Sequence, residues 1–173
     1  MSNYVVTHLH SDLSLLDSCT QFQDYIGRAV ELGQTAIASS EHGRPMGWIG
    51  KKLACDKAGI KFLHGVEIYL TEALQVPDPE TGDMKKIRDN YHTVLIARNL
   101  DGVRELNEAV SRSCQPDHTY FTNRMTFDEF LALSDNIIKT SACLSSPLYK
   151  LPLDHPYYER LVNAYDYLEI QPH

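Results

Sequence analysis

Two histidines stand two residues apart near the start of the chain, in Thr7-His-Leu-His10. Imidazole is a common ligand of divalent metal ions, and residues i and i+2 of a strand point to the same face, so His8 and His10 could reach one ion. Two solvated imidazoles at a polar strand end would give the same pattern. The pair therefore indicates a metal site without establishing one.

Further metal-ligand types follow or lie within later predicted strands. They are two imidazoles, a carboxylate and a thiol: His42, His92, Glu67 and Cys143. In α/β folds the carboxyl ends of parallel strands meet at one edge, so side chains from distant segments are expected to assemble there. Glu67 and His92 do not fall cleanly at carboxyl ends. Singly, each of the four also fits an ordinary role, as a turn residue, an ion-pair partner or a buried thiol.

Strands and helices alternate along the predicted chain. Apolar patterning predicts six strands, at residues 4–10, 35–39, 61–69, 91–97, 136–141 and 167–171. Helices are predicted at residues 21–32, 46–58, 101–113 and 157–164, and a capping box opens a further short helix at Thr126-Phe-Asp-Glu129. Residues 72–90 are predicted to form a polar loop. This order predicts an α/β fold with a parallel sheet or barrel, and with its site at the carboxyl ends of the strands.

Length and composition fit one globular domain spanning residues 1–173, with 43% hydrophobic residues. No apolar run approaches the roughly 18 residues of a membrane helix, and the first residues do not resemble a signal peptide, so we expect a cytoplasmic protein with no membrane partner. The four cysteines have no CxxC spacing, so neither a disulfide framework nor a local zinc clip is indicated, and reduced thiols are expected in the cytoplasm. The net charge of −7 argues against broad electrostatic binding of nucleic acid, although bound metal ions would offset part of it.

Several motifs occur in the order typical of the PHP domain (polymerase and histidinol phosphatase), in the version carried by alpha subunits of bacterial DNA polymerase III. They are His8-Leu-His10, Ser14-Leu-Leu-Asp17, Ala36-Ile-Ala-Ser-Ser-Glu-His-Gly43, Ala58-Gly-Ile-Lys61, Gly65-Val-Glu-Ile-Tyr69, Tyr91-His92, Ser141-Ala-Cys-Leu144 and Tyr167-Leu-Glu-Ile-Gln171. The chain resembles this family over nearly its whole length. The resemblance implies a distorted seven-stranded βα barrel and a phosphoesterase activity, which in polymerase versions that keep the ligands is a proofreading 3'–5' exonuclease.

The resemblance also implies two to three divalent metal ions, held by seven side chains. The implied ligands are His8, His10, Asp17, His42, Glu67, His92 and Cys143. Glu67 would bridge two ions, one shared with the two histidines of the first strand and one shared with His92 and Cys143. Asp17 and His42 would hold a third ion. Zinc, manganese and iron all accept such mixed donors, so the sequence does not select among them.

Two positions near these motifs bear on the chemistry. The resemblance places Arg124 at the rim of the site as a substrate-binding residue, and a surface arginine without that role is an equal alternative. Glu41 stands where the family commonly has aspartate, which predicts a supporting carboxylate displaced by one methylene. The ions would bring the pKa of a bound water near neutral, so no side chain is needed as the nucleophile.

The family pattern closes with one more strand and a late Asp-x-His motif, which does not occur before Gln171-Pro-His173. The sequence thus predicts six of seven strands, with the first and third ion sites short of a ligand. Glu169 and His173 do not replace the motif by spacing, and a terminal His173 that reaches a metal ion is the remaining alternative.

Three functions stay open at this point. The leading hypothesis is the PHP part of a replicative DNA polymerase, with DNA and the rest of an alpha-subunit-like polypeptide as partners. The alternatives are a freestanding PHP phosphatase that acts on a small phosphomonoester, and a non-catalytic module that docks onto a polymerase.

Overall fold

A computed structural model describes residues 4–171, so His173 lies outside the described residues. The chain divides into two compact units, residues 1–67 and residues 68–173, which we call the first and second units. Within residues 4–171, no helix has the length and apolar character needed to cross a membrane.

The first unit holds two helices and two strands. They are α1 (Phe22–Glu31), β1 (Ala36–Ser39), α2 (Trp48–Ala58) and the greater part of β2 (Lys61–Thr71). β1 pairs in parallel with β2. The predicted strand at residues 4–10 is reduced to one parallel bridge between Val6 and Ile37. Helix α1 buries Phe22, Ile26 and Ala29 against this layer, because their i, i+4, i+7 spacing places them on one helical face.

The second unit begins with the last residues of β2. Its further elements are β3 (Gln75–Pro77), β4 (Met84–Lys86), β5 (Tyr91–Ala97), α3 (Leu100–Ser113), β6 (Arg124–Thr126), α4 (Phe127–Leu131), β7 (Ile137–Thr140), α5 (Pro147–Lys150) and α6 (Tyr158–Ala164). The end of β2 pairs in parallel with β6, whereas β5 and β7 are antiparallel. The predicted α/β class is therefore confirmed, with a mixed arrangement of strands instead of a purely parallel one.

The structure differs from the predicted elements mainly where strands are short. The predicted loop at residues 72–90 contains the antiparallel hairpin β3–β4, and β6 was not predicted. The predicted strand at residues 167–171 is a single bridge between Tyr167 and Thr140. Three-residue strands contain too few alternations for a sequence pattern to reveal them, because their pairing depends on partners far along the chain.

Helix α3 approaches the start of β7 so closely that only glycine fits at position 102. A Cβ at Gly102 would collide with the backbone oxygen of Asn136 and lie 3.4 Å from the Cα of Ala97. That oxygen already accepts a hydrogen bond from the Arg98 amide at 2.8 Å, so it has little freedom to move. A side chain at this position would force the helix away from the strand.

Gly102→Ala is therefore expected to destabilise the protein by about 1–3 kcal/mol, as overpacked sites do. Gly27→Ala is the matched control, because Gly27 lies in α1 and a Cβ there would meet no heavy atom within 4 Å. At that position the better helix propensity of alanine should stabilise by up to about 1 kcal/mol. Urea unfolding of both variants measures the difference, and equal effects would contradict the packing argument.

Candidate metal centre

The segment that carries His8 and His10 runs beside β1. The amide of Leu9 donates to the hydroxyl of Ser40 at 2.7 Å, and the Ser40 amide donates to the carbonyl of Leu9 at 3.1 Å. The Leu9 side chain packs against the apolar core of the first unit. Since neighbouring side chains of extended backbone point in opposite directions, His8 and His10 project away from that core.

Glu67 is the carboxylate on which the histidines of the first unit converge. It is 1% exposed. Its Oε2 lies 3.1 Å from Nε2 of His10 and 2.9 Å from Nδ1 of His42, and its Oε1 lies 3.8 Å from Nε2 of His8. A buried carboxylate is costly unless cations or hydrogen-bond donors compensate it. His42, whose Nδ1 lies nearest, supplies part of that compensation, and a metal ion would supply the rest.

Backbone pairing fixes the position of both Glu67 and His42. The two residues form an isolated parallel bridge, in which the Gly43 amide donates to the Glu67 carbonyl at 2.7 Å. The Glu67 amide in turn donates to the carbonyl of Glu41 at 3.1 Å. The polar turn after β1 is thereby held against the middle of β2.

Two groups of three potential ligands result, and they share one histidine. The first is His8, His10 and Glu67, and the second is His10, Asp17 and His42. Within each group the donor atoms lie within 4.8 Å of one another. Nitrogen and oxygen ligands lie roughly 2 Å from a zinc ion, so donors at such separations can contact one ion. These residues fit divalent metal ions in kind and in spacing.

His10 stands nearer to the second group than the sequence indicated. Its Nε2 lies 3.7 Å from Oδ2 of Asp17, and its ring stacks on the ring of His42 with centroids 4.2 Å apart. The sequence assigned only Asp17 and His42 to that ion. The sequence does not show that His10 and Asp17 are close in space, because this depends on the turns formed by the residues between them.

A buried polar network lies behind the histidines. Glu41 is fully buried and accepts hydrogen bonds from the hydroxyls of Ser11 and Ser14 and from the ammonium of Lys51. Burial opposes ionisation of Glu41, but these donors outweigh it, so the pKa of Glu41 is lowered. Burial lowers the pKa of Lys51 despite its pairing with Glu41. The glutamate is thus held firmly from several sides, in spite of its extra methylene.

Ser14 transmits this network to two of the candidate ligands. Its hydroxyl donates to Glu41, so its oxygen is left to accept, and it receives the amide of His42 at 3.2 Å. Nδ1 of His10 lies 3.1 Å from the same oxygen. A proton on this Nδ1 completes the hydrogen bond and leaves the lone pair of Nε2 directed at His8 and Glu67, as a metal ligand requires.

The charge environment favours the protonated form of His42 in the absence of metal. Its hydrogen bond to Glu67 raises the pKa, burial lowers it, and the proximity of Glu67 and Asp17 raises it further. The pKa of His42 is therefore above its usual value of 6.5. The site attracts cations, whether a proton or a metal ion.

His92 and Cys143 lie in the second unit, where they approach each other. Cys143 Sγ is 3.6 Å from Nδ1 of His92. The His92 amide donates to the carbonyl of Ser145 at 2.9 Å, and the Ser145 amide points at Cys143 Sγ at 3.4 Å. Ala142, with a φ of 53°, turns the chain just after β7 and so directs Cys143. Glu67 belongs to the first unit, and an ion shared by Glu67, His92 and Cys143 stays a prediction.

The prediction that Arg124 is a substrate-binding or a surface residue requires correction. Arg124 is 1% exposed, so it is neither a surface arginine nor free to contact a substrate. Its guanidinium donates to the carbonyls of Ile87 at 2.6 Å, Asp89 at 3.3 Å and His118 at 3.3 Å. The sequence could not show this, because all three carbonyls lie outside its own strand. Arg124 holds backbone segments of the second unit together.

His118 is a buried histidine that lies between two carboxylates. Its Nδ1 lies 2.8 Å from Asp117 and its Nε2 lies 3.0 Å from Glu129. Burial lowers the pKa of His118, but both hydrogen-bonded carboxylates raise it and prevail. His118 has no metal-ligating partner set among the described residues, and its role is structural.

The raised pKa of His118 predicts a pH dependence of stability. Its charge stabilises the fold fully below the unfolded pKa of about 6.5, and the contribution is lost as the pH rises through the higher folded pKa. The free energy of unfolding should therefore fall from pH 6 to pH 8.5 more in the wild type than in His118→Gln. Urea titrations at both pH values measure this, and parallel changes in the two proteins would contradict it.

The described fold is α/β, with candidate metal ligands clustered in its first unit. The PHP domain family matches residues 7–172, so the chain belongs to the PHP domain family. Curated relatives include the DNA polymerase III subunit alpha of Borreliella burgdorferi, 29% identical over 99% of this chain, and that of Treponema pallidum, 31% identical over 84%.

The chain spans only a small part of these relatives, 15% of the Borreliella protein and 12% of the Treponema protein. Among solved structures, a protein described as a metal-dependent phosphoesterase from Bifidobacterium adolescentis has a TM-score of 0.61 at 12% identity. The match covers 95% of this chain and 76% of that one. This likeness supports the fold.

Proposed function

We propose that this chain is the PHP module of a DNA polymerase III alpha-like polypeptide and hydrolyses phosphodiesters with two to three bound divalent metal ions, as a 3'–5' exonuclease. The observation that carries the proposal is the convergence of His8, His10 and His42 on the buried carboxylate of Glu67. The curated relatives reported above are subunits of a DNA polymerase, which favours DNA as the substrate.

Seven residues would hold the ions: His8, His10, Asp17, His42, Glu67, His92 and Cys143. Divalent ions bound there would provide a hydroxide nucleophile near neutral pH and neutralise charge on the phosphate oxygens. The chain supplies the arrangement of ligands. Ser14 fixes the ring of His10 and the backbone of His42, and Glu41 and Lys51 fix Ser14 through their buried network.

The test compares metal content with three activities of the purified 173-residue chain. Divalent metal is measured by elemental analysis, and hydrolysis is measured with Mn²⁺ or Zn²⁺ on bis(p-nitrophenyl) phosphate, on p-nitrophenyl phosphate and on single-stranded DNA labelled at its 3' end. We expect bound metal, diester cleavage and release of the 3' label. Cleavage of the monoester alone would support the freestanding phosphatase instead, and metal binding without any hydrolysis would support a non-catalytic module.

A further inference from the structure

Two neighbouring pockets on the second unit share part of their lining. Their volumes are about 330 and 300 Å³, and Arg88 and Asn90 line both. The first pocket is also lined by Asp89, Tyr91, Ser145 and Lys150. The second is also lined by Tyr120, Phe121 and Thr122. Together they form one continuous surface around residues 88–90.

An exposed aromatic ring marks the second pocket. Phe121 is 81% exposed, and its backbone has a φ of 61°, which residues other than glycine rarely adopt. The ring of Tyr120 lies 4.7 Å from that of Phe121, and the Arg88 guanidinium lies 5.3 Å from the Phe121 centroid. Packing within the second unit does not account for a large apolar side chain presented in this way. Non-glycine residues held at such a φ are concentrated at functional sites.

Buried Arg124 holds both sides of this surface. It binds the carbonyls of Ile87 and Asp89, which flank Arg88 in the chain. Its guanidinium also lies 5.6 Å from the ring centroid of Tyr120. The aromatic side and the cationic side are therefore fixed relative to each other before any ligand binds.

The first pocket extends this surface toward His92 and Cys143. Ser145, which lines it, accepts the His92 amide through its carbonyl and points its own amide at the Cys143 sulfur. Lys150 places a second cation on the same pocket. A linear polymer that lies across both pockets would thus run from the exposed ring of Phe121, past the cations Arg88 and Lys150, toward the candidate metal ligands of the second unit.

We propose that this surface binds single-stranded DNA, and we call it the Arg88–Phe121 platform (Arg88, Asn90, Tyr120, Phe121 and Lys150). A base would stack on Phe121, and backbone phosphates would lie beside Arg88 and Lys150. Exposed aromatic rings flanked by cations suit single strands, because every base offers a stacking face and the phosphates repeat regularly. Asp89 is the one acid among the lining residues named above, so the platform is net positive within a chain of net charge −7. The inference rests on the proposed function for its substrate class.

Binding to the platform is measured by the fluorescence anisotropy of a 5'-labelled oligothymidylate of twelve nucleotides at low salt. EDTA removes divalent metal ions, so the DNA is not cleaved during the measurement. Phe121→Leu is expected to weaken binding by about 10-fold, because a stacked base is lost. Phe121→Trp keeps a stacking face and should bind within about 2-fold of the wild type. Arg88→Glu should weaken binding by about 10-fold or more and reduce its salt dependence.

Arg104→Glu is the matched control for Arg88→Glu. Arg104 lies on α3 with its side chain exposed and paired with Asp101, and the substitution changes the net charge equally. It should leave binding unchanged. Equal losses for the two arginine variants, wild-type binding by Phe121→Leu, or no binding by the wild type would overturn the proposal. Circular dichroism spectra of all variants confirm that they are folded.

Metal-dependent hydrolysis of bis(p-nitrophenyl) phosphate separates this inference from the proposed function, because so small a diester does not need the platform. If the chain hydrolyses the diester and the substitutions at Phe121 and Arg88 leave DNA binding unchanged, the platform alone is refuted. DNA binding that depends on both residues, without any hydrolysis, would refute the proposed chemistry alone.

Discussion

Glu67→Gln is expected to reduce phosphodiester hydrolysis by about 100-fold or more and to lower the divalent metal content of the purified chain. Loss of a group that only supports a metal ligand already costs about 10- to 100-fold in metal affinity or activity, and loss of a ligand itself should cost at least as much. Among residues 4–171, Glu67 is the carboxylate that lies within 4 Å of all three of His8, His10 and His42. Glutamine keeps its shape but removes the negative charge that these imidazoles and any bound cation share.

Glu31→Gln is the appropriate control, because Glu31 lies at the end of α1 with an exposed side chain paired to Arg28. It should keep both metal and activity. Elemental analysis and initial rates are compared at equal folded fraction, which far-ultraviolet circular dichroism reports. If Glu67→Gln retained wild-type metal content and hydrolysis, the metal centre as described would be wrong.

Lys51→Met is expected to destabilise the protein by about 3–5 kcal/mol, the usual cost of leaving one partner of a buried ion pair without its counter-charge. Lys51 is 5% exposed and Glu41 is fully buried, so solvent cannot take over the role of the ammonium. Burial raises the pKa of Glu41, and the hydrogen bond from Lys51 lowers it more than the hydrogen bond from either serine. Without Lys51, the carboxylate must either stay charged at high cost or take up a proton.

The neighbouring Lys52 offers a close control. Lys52→Met removes the same charge from an exposed position, where Lys52 pairs with Asp56 one turn along α2. It should change the free energy of unfolding by less than about 0.5 kcal/mol. The double variant Glu41→Gln with Lys51→Met should be less destabilised than Lys51→Met alone, because no unpaired charge is then buried. Urea denaturation measures all three, and equal stability of the two lysine variants would contradict the argument.

The sequence was most informative where one element is long or one residue type is chemically specific. β5 was predicted with the bounds it has, and α1, α2 and α3 were predicted to within two residues at each end. The apolar faces of α1 and α3 are visible in the sequence, because the helical period is a property of the helix alone. The candidate metal ligands of the first unit were also visible in the sequence, as histidine and carboxylate residues within the motifs of the PHP family.

What the sequence could not supply was contact between distant groups. The sharing of His10 by two ligand groups depends on the turns between it and Asp17. The burial of Arg124 depends on carbonyls at residues 87, 89 and 118. Ser14 carries a weak signal in the sequence, since it stands four residues after His10 and its hydroxyl can accept from a histidine. Local patterns do not encode such contacts, whatever their energetic weight.

The guanidinium of Arg124 ties the backbone at residues 87–89 to that at residue 118, and this has a dynamic consequence. Two surface segments that share one buried donor cannot open independently, because release of either exposes the same unsatisfied cation. Amide hydrogens of both segments should therefore exchange with solvent as a single cooperative unit, with one opening free energy. Lysine at this position could not reproduce the behaviour, since an ammonium lacks the planar fork that reaches several carbonyls at once.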